Sequence, residues 1–141
     1  MAELLTRAIN FAYSEGCREF FAGGAVGFDT YAAREVVKFR MSHPDIKLIL
    51  LLPCIEQDKG WSDKQRDNYS YVLSLADEVV YVRDEYTSTC MKERNARLAK
   101  ECDILIAYLC KSASGAGQTV RLAEHLGKRV YNLYPTLDKE T

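Results

Sequence analysis

The sequence predicts a doubly wound α/β fold, with a mostly parallel sheet of about five strands and helices on both faces. Helical patterns alternate with short apolar runs five times along the 141 residues. The run at residues 46–52 is almost continuously apolar, which is typical of a strand buried on both faces of a parallel sheet. A glycine-rich turn after an early strand leads into a helix, as such folds require.

In the first half of the chain, local signals define where most of these elements end. Gly16 terminates the first helix, Pro44 prevents the second from continuing, and Pro53 ends the buried strand. Ser62 and Gln65 form a capping box that starts the third helix. The predicted elements are a helix at 2–15, a strand at 18–22, a helix at 29–42, a strand at 46–52 and a helix at 62–76.

The second half continues the alternation. Met91, Asn95 and Leu98 lie on one stripe of its first helix, which we expect to face inward. Gly127 closes its second helix. The predicted elements are a strand at 78–82, a helix at 88–101, a strand at 102–109, a loop of small residues at 112–118, a helix at 118–126 and a strand at 129–133.

Length and composition predict a single domain over residues 1–141. They also limit the classes of partner that the protein is expected to bind. The formal net charge is −1 and the pI is about 6.1. Proteins held to nucleic acid by charge usually carry a basic excess, so nucleic acid is an unlikely partner. The sequence contains neither a membrane-spanning apolar run nor a recognisable signal peptide, which predicts a cytoplasmic protein with no membrane association.

The cysteines and histidines predict no metal site. The five cysteines are odd in number, and no two form a Cys-x-x-Cys pair. His43 and His125 have no ligand-like spacing to a cysteine. The cysteines are therefore expected to be reduced residues of strands and core.

The stretch from Gly23 to Asp29 is the strongest candidate for a binding site. An apolar strand ends there in Gly23, Gly24 and Gly27, and a helix follows. Backbone N–H groups at a helix N-terminus attract phosphates, and glycine lets a ligand approach the backbone closely. In this interpretation Asp29 bonds a sugar hydroxyl; in the alternative, the glycines only form a turn and Asp29 only caps its helix.

Three further segments would reach the same edge of the sheet. The loop at 112–118 offers hydroxyls and bare N–H groups for a second anion, or is a plain surface loop. In the loop at 53–61, Trp61 either stacks on a base at a pocket rim or packs the next helix onto the sheet. In the helix at 88–101, Asn95 interrupts an apolar stripe and needs polar partners, of which a ligand is one.

Together these segments resemble the SLOG superfamily, which includes DprA (Smf), the LOG proteins and the uncharacterised bacterial YpsA-like proteins. The resemblance is strongest to the YpsA-like group. It rests on four segments in the expected order: Gly23–Asp29; Leu51-Leu52-Pro53 with Gln57 and Trp61; Cys90–Asn95; and Gly115–Val120.

The resemblance implies a Rossmann-like fold that binds a nucleotide or nucleotide-derived small molecule. It also implies that the protein has a sensing or regulatory role. It does not specify a cofactor. The residues that it places around the ligand are Gly23, Gly24, Gly27, Asp29, Arg94, Asn95, Gly115, Gly117 and Thr119, with Gln57 and Trp61 at the rim.

Two departures from the family bear on the alternative functions. LOG enzymes carry a Gly-Thr-x-x-Glu segment, whereas Thr119 here is followed three residues later by Leu122. This difference disfavours a hydrolase acting on the N-glycosidic or phosphate bond of a nucleotide. The sequence also identifies no catalytic residue for such a reaction. DprA proteins usually have a basic surface, and they have histidine at the position of Ala33 in this chain. Both differences disfavour a DprA-like accessory role in DNA processing.

A third departure concerns the start of the chain. Family members begin with a strand ending in a Thr-Gly-His-Arg-like turn, and nothing in this sequence matches it. The resemblance places that strand between the strands at 18–22 and 102–109. We therefore expect either that these two strands pair directly or that the space is filled from elsewhere. Filling by a second copy predicts a homo-oligomer.

Overall fold

The computed structural model describes residues 2–25, 27–107 and 115–133, in which helices and parallel strands alternate. This alternation confirms the predicted α/β class. The chain divides into a central unit, residues 18–94, and a terminal unit, residues 1–17 with 95–141. The elements are α1 (Ala2–Ser14), β1 (Glu19–Ala22), α2 (Phe28–Ser42), β2 (Lys47–Leu52), α3 (Asp63–Leu75), β3 (Glu78–Tyr81), α4 (Cys90–Glu101), β4 (Ile104–Ala107), α5 (Gly115–His125) and β5 (Arg129–Asn132).

The central unit contains a three-stranded parallel sheet in the order β1–β2–β3. Leu48, Leu50 and Leu52 of β2 are fully buried, as expected for a strand with neighbours on both sides. Phe20 pairs with Leu48, and Leu52 pairs with Tyr81. Because all three strands run in the same direction, the loops that follow them begin at one edge of the sheet.

In the central unit, α2 covers this sheet and also packs against α3. α2 packs against β1, β2 and α3, and its Ala33 and Val36 are buried. α3 begins with the predicted capping box, in which Ser62 Oγ accepts the N–H of Gln65 at 3.2 Å. Tyr69 and Val72 form the buried face of α3.

Asp77 extends the pairing of β2 with β3 at the end where both strands begin. Its N–H donates to the carbonyl oxygen of Leu48, and its carboxylate accepts the N–H of Leu48, both at 2.8 Å. The same carboxylate accepts Arg40 Nη1 at 2.6 Å. Burial acts to raise the pKa of Asp77, but these donors outweigh it and lower the pKa below its ordinary value.

The terminal unit contains β4 and β5, which form a parallel pair that α5 covers. α1 buries a stripe of apolar residues along one face. It contacts β5 through the rings of Phe11 and Tyr131, whose centroids are 6.3 Å apart. Arg129 of β5 reaches Glu15 just beyond α1, with 2.5 Å between guanidinium and carboxylate. The buried residues of α1 are Leu4, Leu5, Ala8, Ile9 and Ala12.

Two predictions about local structure are wrong. α5 begins at Gly115, so Gly115 and Gly117 lie in its first turn and not in a loop. Glycine costs little there because the first N–H groups of a helix have no intrahelical partner in any case. Met91 does not face inward with its stripe: it is 48% exposed, because it lies near the start of α4 at the mouth of a cleft.

The structure also bears on the predicted neighbour of β1. Within the described residues, β1 and β4 belong to different sheets, so the prediction that they pair directly is wrong. Filling of the space from elsewhere stays a prediction, as do the single domain and the homo-oligomer. No helix among residues 2–25, 27–107 and 115–133 is long and apolar enough to cross a membrane.

Candidate functional site

Close packing explains two glycines of the turn between β1 and α2. Gly24 has a φ of +69°, and a Cβ there would lie 2.5 Å from Leu52 Cδ2. A Cβ at Gly23 would lie 2.6 Å from Arg94 Nη1 and 2.9 Å from Asp29 Oδ2. A side chain at either position would displace the residues around the turn. Gly23 and Gly24 are therefore required by the fold, whatever the turn binds.

Gly27 is different because it borders open space. It is the N-cap residue of α2 and has a φ of +90°. A Cβ at Gly27 would meet nothing within 4 Å, and no side chain in the described part of the chain caps the helix. The N-terminus of this 15-residue helix is thus accessible next to the carboxyl end of β1, which is the setting in which helices bind anions.

Asp29 and Arg94 hold the turn from two sides. Asp29 does not cap α2; its carboxylate accepts the N–H of Ala25 at 3.4 Å. Arg94 is only 5% exposed and donates from Nη1 to the carbonyl oxygen of Gly23. Of the two alternatives for Asp29, the helix cap is not observed, and a role in binding a sugar hydroxyl stays a prediction.

The charges of Asp29 and Arg94 stabilise each other in a desolvated setting. Burial raises the pKa of Asp29, while the Arg94 guanidinium and the N–H of Ala25 act in the opposite direction. Burial likewise lowers the pKa of Arg94, and Asp29 opposes that change. The pair therefore positions the turn, and a direct ligand contact of either residue stays a prediction.

Gln57 connects the glycine turn to the loop that follows β2. Its Nε2 donates to the carbonyl oxygen of Gly24 at 3.2 Å. Trp61 packs edge-on against Tyr69, with ring centroids 5.2 Å apart, which is the packing role considered for it. Burial raises the pKa of Tyr69 to about 12, although the nearby Gln57 amide acts in the opposite direction. A ligand-binding role for Gln57 and Trp61 stays a prediction.

A cleft of about 790 Å³ opens at the carboxyl ends of β2 and β3, where the start of α4 also contributes to its wall. Its size is within the range of small-molecule sites. The loops that follow β2 and β3 form it, and Gln57 is part of the lining. Its charged residues are Glu56, Lys59, Asp84 and Glu85, and its exposed apolar residues are Ile55, Tyr86 and Met91.

Two buried thiols also line this cleft. Cys54 and Cys90 are 1% and 0% exposed, and their side chains interact with each other. Burial raises the pKa of Cys54, and the proximity of Cys90 raises it further. Both are free cysteines, and a neutral Cys54 thiol is a poor nucleophile. Among the residues that the structure describes, no three His, Cys, Asp or Glu side chains are grouped to hold a metal ion.

The remaining predicted site residues belong to the terminal unit. Asn95 is half-buried in α4, whereas Gly117 and Thr119 are buried in α5, which begins at Gly115. Residues 112–114 of the predicted loop lie outside the described residues. A pocket that combines these residues with the glycine turn stays a prediction.

The comparison with protein families decides the affiliation. A family model described as "YspA SLOG family" matches residues 1–126. The chain belongs to this family. The match covers all four segments on which the resemblance was based, including the glycine turn and the start of α5.

Individual relatives of this SLOG protein agree with that assignment. It is 30% identical over 135 residues to the uncharacterized SPbeta prophage-derived protein YoqJ of Bacillus subtilis (strain 168), covering 86% of this chain and 79% of YoqJ. It is 27% identical over 114 residues to a UPF0398 protein of Bacillus thuringiensis (strain Al Hakam), covering 79% of this chain and 62% of that protein. The chain thus spans less than two thirds of the UPF0398 relative.

Sequence reasoning missed most of the residues around the cleft. Asp84, Glu85 and Tyr86 are exposed residues of a polar loop, and such residues are usually only solvated. Their position after β3 was the available signal, because ligands of parallel α/β sheets bind beyond the carboxyl ends of strands. The glycine turn was the stronger candidate in the sequence, because glycines before a helix start are a known anion-binding pattern.

Proposed function

We propose that this SLOG protein binds a nucleotide or nucleotide-derived ligand whose anionic group lies at the N-terminus of α2. The observation that carries the proposal is the accessible start of α2 at Gly27, directly after the turn that ends β1. Family membership supports it. A sensing or regulatory role in the cytoplasm is part of this proposal.

The surroundings of Gly27 suit an anion. Its neighbours in a small recess of about 200 Å³ include Arg34, a positive charge, and the side-chain amides of Gln65 and Asn68. Arg34 donates to Asn68 Oδ1 at 3.0 Å, which fixes the direction of the guanidinium. The helix dipole and this guanidinium both favour negative charge at the recess.

The contacts of the Asp29 carboxylate do not support a hydrolase mechanism. General acid–base chemistry needs a carboxylate that reaches the bond to be broken. The carboxylate of Asp29 instead accepts Ala25 N–H and lies beside Arg94 within the turn. Asp58, in the loop after β2, is 3.4 Å from Arg66 in an ion pair. Neither Asp29 nor Asp58 is thus placed for general acid–base catalysis, and we favour binding without turnover.

A thermal-shift screen followed by calorimetric titration tests the proposal. The panel contains nucleotides, nucleotide sugars and dinucleotides, and a ligand that binds the folded state raises the melting temperature. Gly27→Asp places a carboxylate where the anion is expected and should weaken binding by about tenfold or more. Because a side chain at a φ of +90° strains the backbone, circular dichroism should first establish that α2 of this variant is folded.

Gly127→Asp is the matched control. Gly127 also has a positive φ, +77°, and a Cβ there would also meet nothing within 4 Å. Both variants place an aspartate at a positive φ where a Cβ meets nothing within 4 Å, but only Gly27→Asp alters the start of α2. No response across the panel, or equal loss of affinity in both variants, would contradict the proposed function.

A further inference from the structure

We propose that the cleft beyond β2 and β3 is a second binding site, which takes a small organic cation with a flat apolar body. It differs in charge from the anion site proposed at Gly27. The proposal rests on the unpaired charges of the cleft, its exposed apolar side chains and one buried acceptor without a partner.

The charges that line the cleft are predominantly negative. Glu56, Asp84 and Glu85 contribute three carboxylates, and Lys59 contributes the single ammonium group of the lining. Within the described part of the chain, none of these three carboxylates is in an ion pair. Like charges within one cleft repel each other, so a bound cation would relieve that repulsion.

Two arginines beside the lining are paired with carboxylates that do not belong to the cleft. Arg83 precedes Asp84, but it is bound to Glu93 at 2.8 Å. Arg66 is bound to Asp58 at 3.4 Å. Each nearby arginine is thus matched by a carboxylate of its own. A phosphate group would meet net repulsion in this cleft, which separates its ligand from the one proposed for the glycine turn.

Exposed apolar side chains surround the same charges. Tyr86 is 72% exposed, Ile55 is 50% exposed and Met91 is 48% exposed. All three line the cleft. A tyrosine ring attracts a cation held over its face, and the two aliphatic side chains offer contact to a flat hydrocarbon body. This combination favours an aromatic or otherwise apolar cation over a bare metal ion.

Gln57 adds a hydrogen-bond acceptor. The residue is 8% exposed and lines the cleft. Its Nε2 donates to the carbonyl oxygen of Gly24, and its Oε1 forms no hydrogen bond among the described residues, although the Tyr69 hydroxyl lies near the amide. A buried carbonyl without a donor costs about 1–3 kcal/mol of stability. A ligand N–H group would satisfy it.

Three probes of the same shape and different charge test this inference. Benzamidine is a cation, benzamide is neutral and benzoate is an anion, so calorimetry or NMR titration compares charge at constant size. We expect benzamidine to bind about tenfold more tightly than benzamide, and benzoate to bind more weakly than either. Raising the salt concentration should weaken benzamidine binding.

Variants of the lining give opposite expected effects. Asp84→Asn combined with Glu85→Gln removes two negative charges at almost constant shape and should weaken benzamidine binding by about fivefold or more. Lys59→Met removes the opposing charge and should strengthen it. Glu19→Gln combined with Asp67→Asn is the control, because it removes two exposed carboxylates of the same unit that do not line the cleft.

Several results would overturn the inference. They are absence of benzamidine binding at about 10 mM, equal binding of benzamidine and benzamide, or equal effects of the cleft variant and its control. Gly27→Asp should leave benzamidine binding unchanged, since Gly27 is not part of this cleft lining. Failure of the proposed nucleotide function is therefore distinguishable from failure of the cation site.

Discussion

Arg94 donates a hydrogen bond to the carbonyl oxygen of Gly23, which lies 71 positions earlier in the chain. This contact fixes the glycine turn to the first half of α4. Asp29 lies on the same side of Gly23, where a Cβ would come within 2.9 Å of its Oδ2. The shape of the turn that we propose as part of the anion site therefore depends on a buried charge from a distant helix.

Replacing Arg94 should strongly destabilise the fold. Arg94→Gln leaves the partly buried carboxylate of Asp29 without its cation, and breaking such a buried pair costs about 3–5 kcal/mol. Urea unfolding measures the change. Arg97→Gln is the control: Arg97 also lies in α4, but it is 45% exposed and 3.8 Å from Glu101, so its loss should cost under about 1 kcal/mol. Equal effects would show that Arg94 carries no special role.

Asp29 should make stability rise as the pH falls. Because its pKa is raised above 3.8 in the folded state, the folded protein binds this proton more tightly than the unfolded chain does. The free energy of unfolding of the wild type, minus that of Asp29→Asn, should therefore increase as the pH falls through the folded pKa. It should level off below the unfolded value of 3.8. A difference that decreases on acidification would show that the pKa is lowered instead.

Asp77 should show the opposite dependence. Its pKa is lowered in the folded state, so its contribution is complete above 3.8 and is lost as the pH falls through the folded pKa. Asp77→Asn should cost about 1 kcal/mol at neutral pH, a value reduced for the exposure of the carboxylate. Unfolding measured from pH 6 down to about pH 2 should show this cost shrinking. A cost that is independent of pH would contradict a role for the charge.

Local signals predicted most of the fold, whereas the candidate site depended on contacts that are distant in sequence. The apolar run of β2 and the Ser62–Gln65 box are readable because strand burial and capping involve neighbouring residues. The start of α5 was misplaced because its glycines resemble a loop. The burial of Arg94 results from the packing of α4 on a turn far away in the chain, which no local pattern encodes.

The glycine turn illustrates the same limit. Three glycines in one motif are equivalent in the sequence, but the structure separates them. Gly23 and Gly24 make room for Arg94 and Leu52, and Gly27 alone borders open space. A glycine that is needed for packing and one that is needed for a ligand differ only in what surrounds them in three dimensions.

Tyr69→Phe should leave the protein as stable as before or raise its stability by up to about 1 kcal/mol at neutral pH. The Tyr69 hydroxyl is buried and forms no hydrogen bond among the described residues, and the Gln57 amide is the polar group near it, so removing the hydroxyl forfeits at most a weak contact. Burial raises the pKa of Tyr69 to about 12, so unfolding releases a proton between pH 10 and 12. The wild type should accordingly lose stability relative to the variant as the pH rises through that interval. Urea unfolding at pH 7 and at about pH 10.5 checks both effects, and a loss exceeding about 1 kcal/mol at pH 7 would mean that the hydroxyl has a bonding partner.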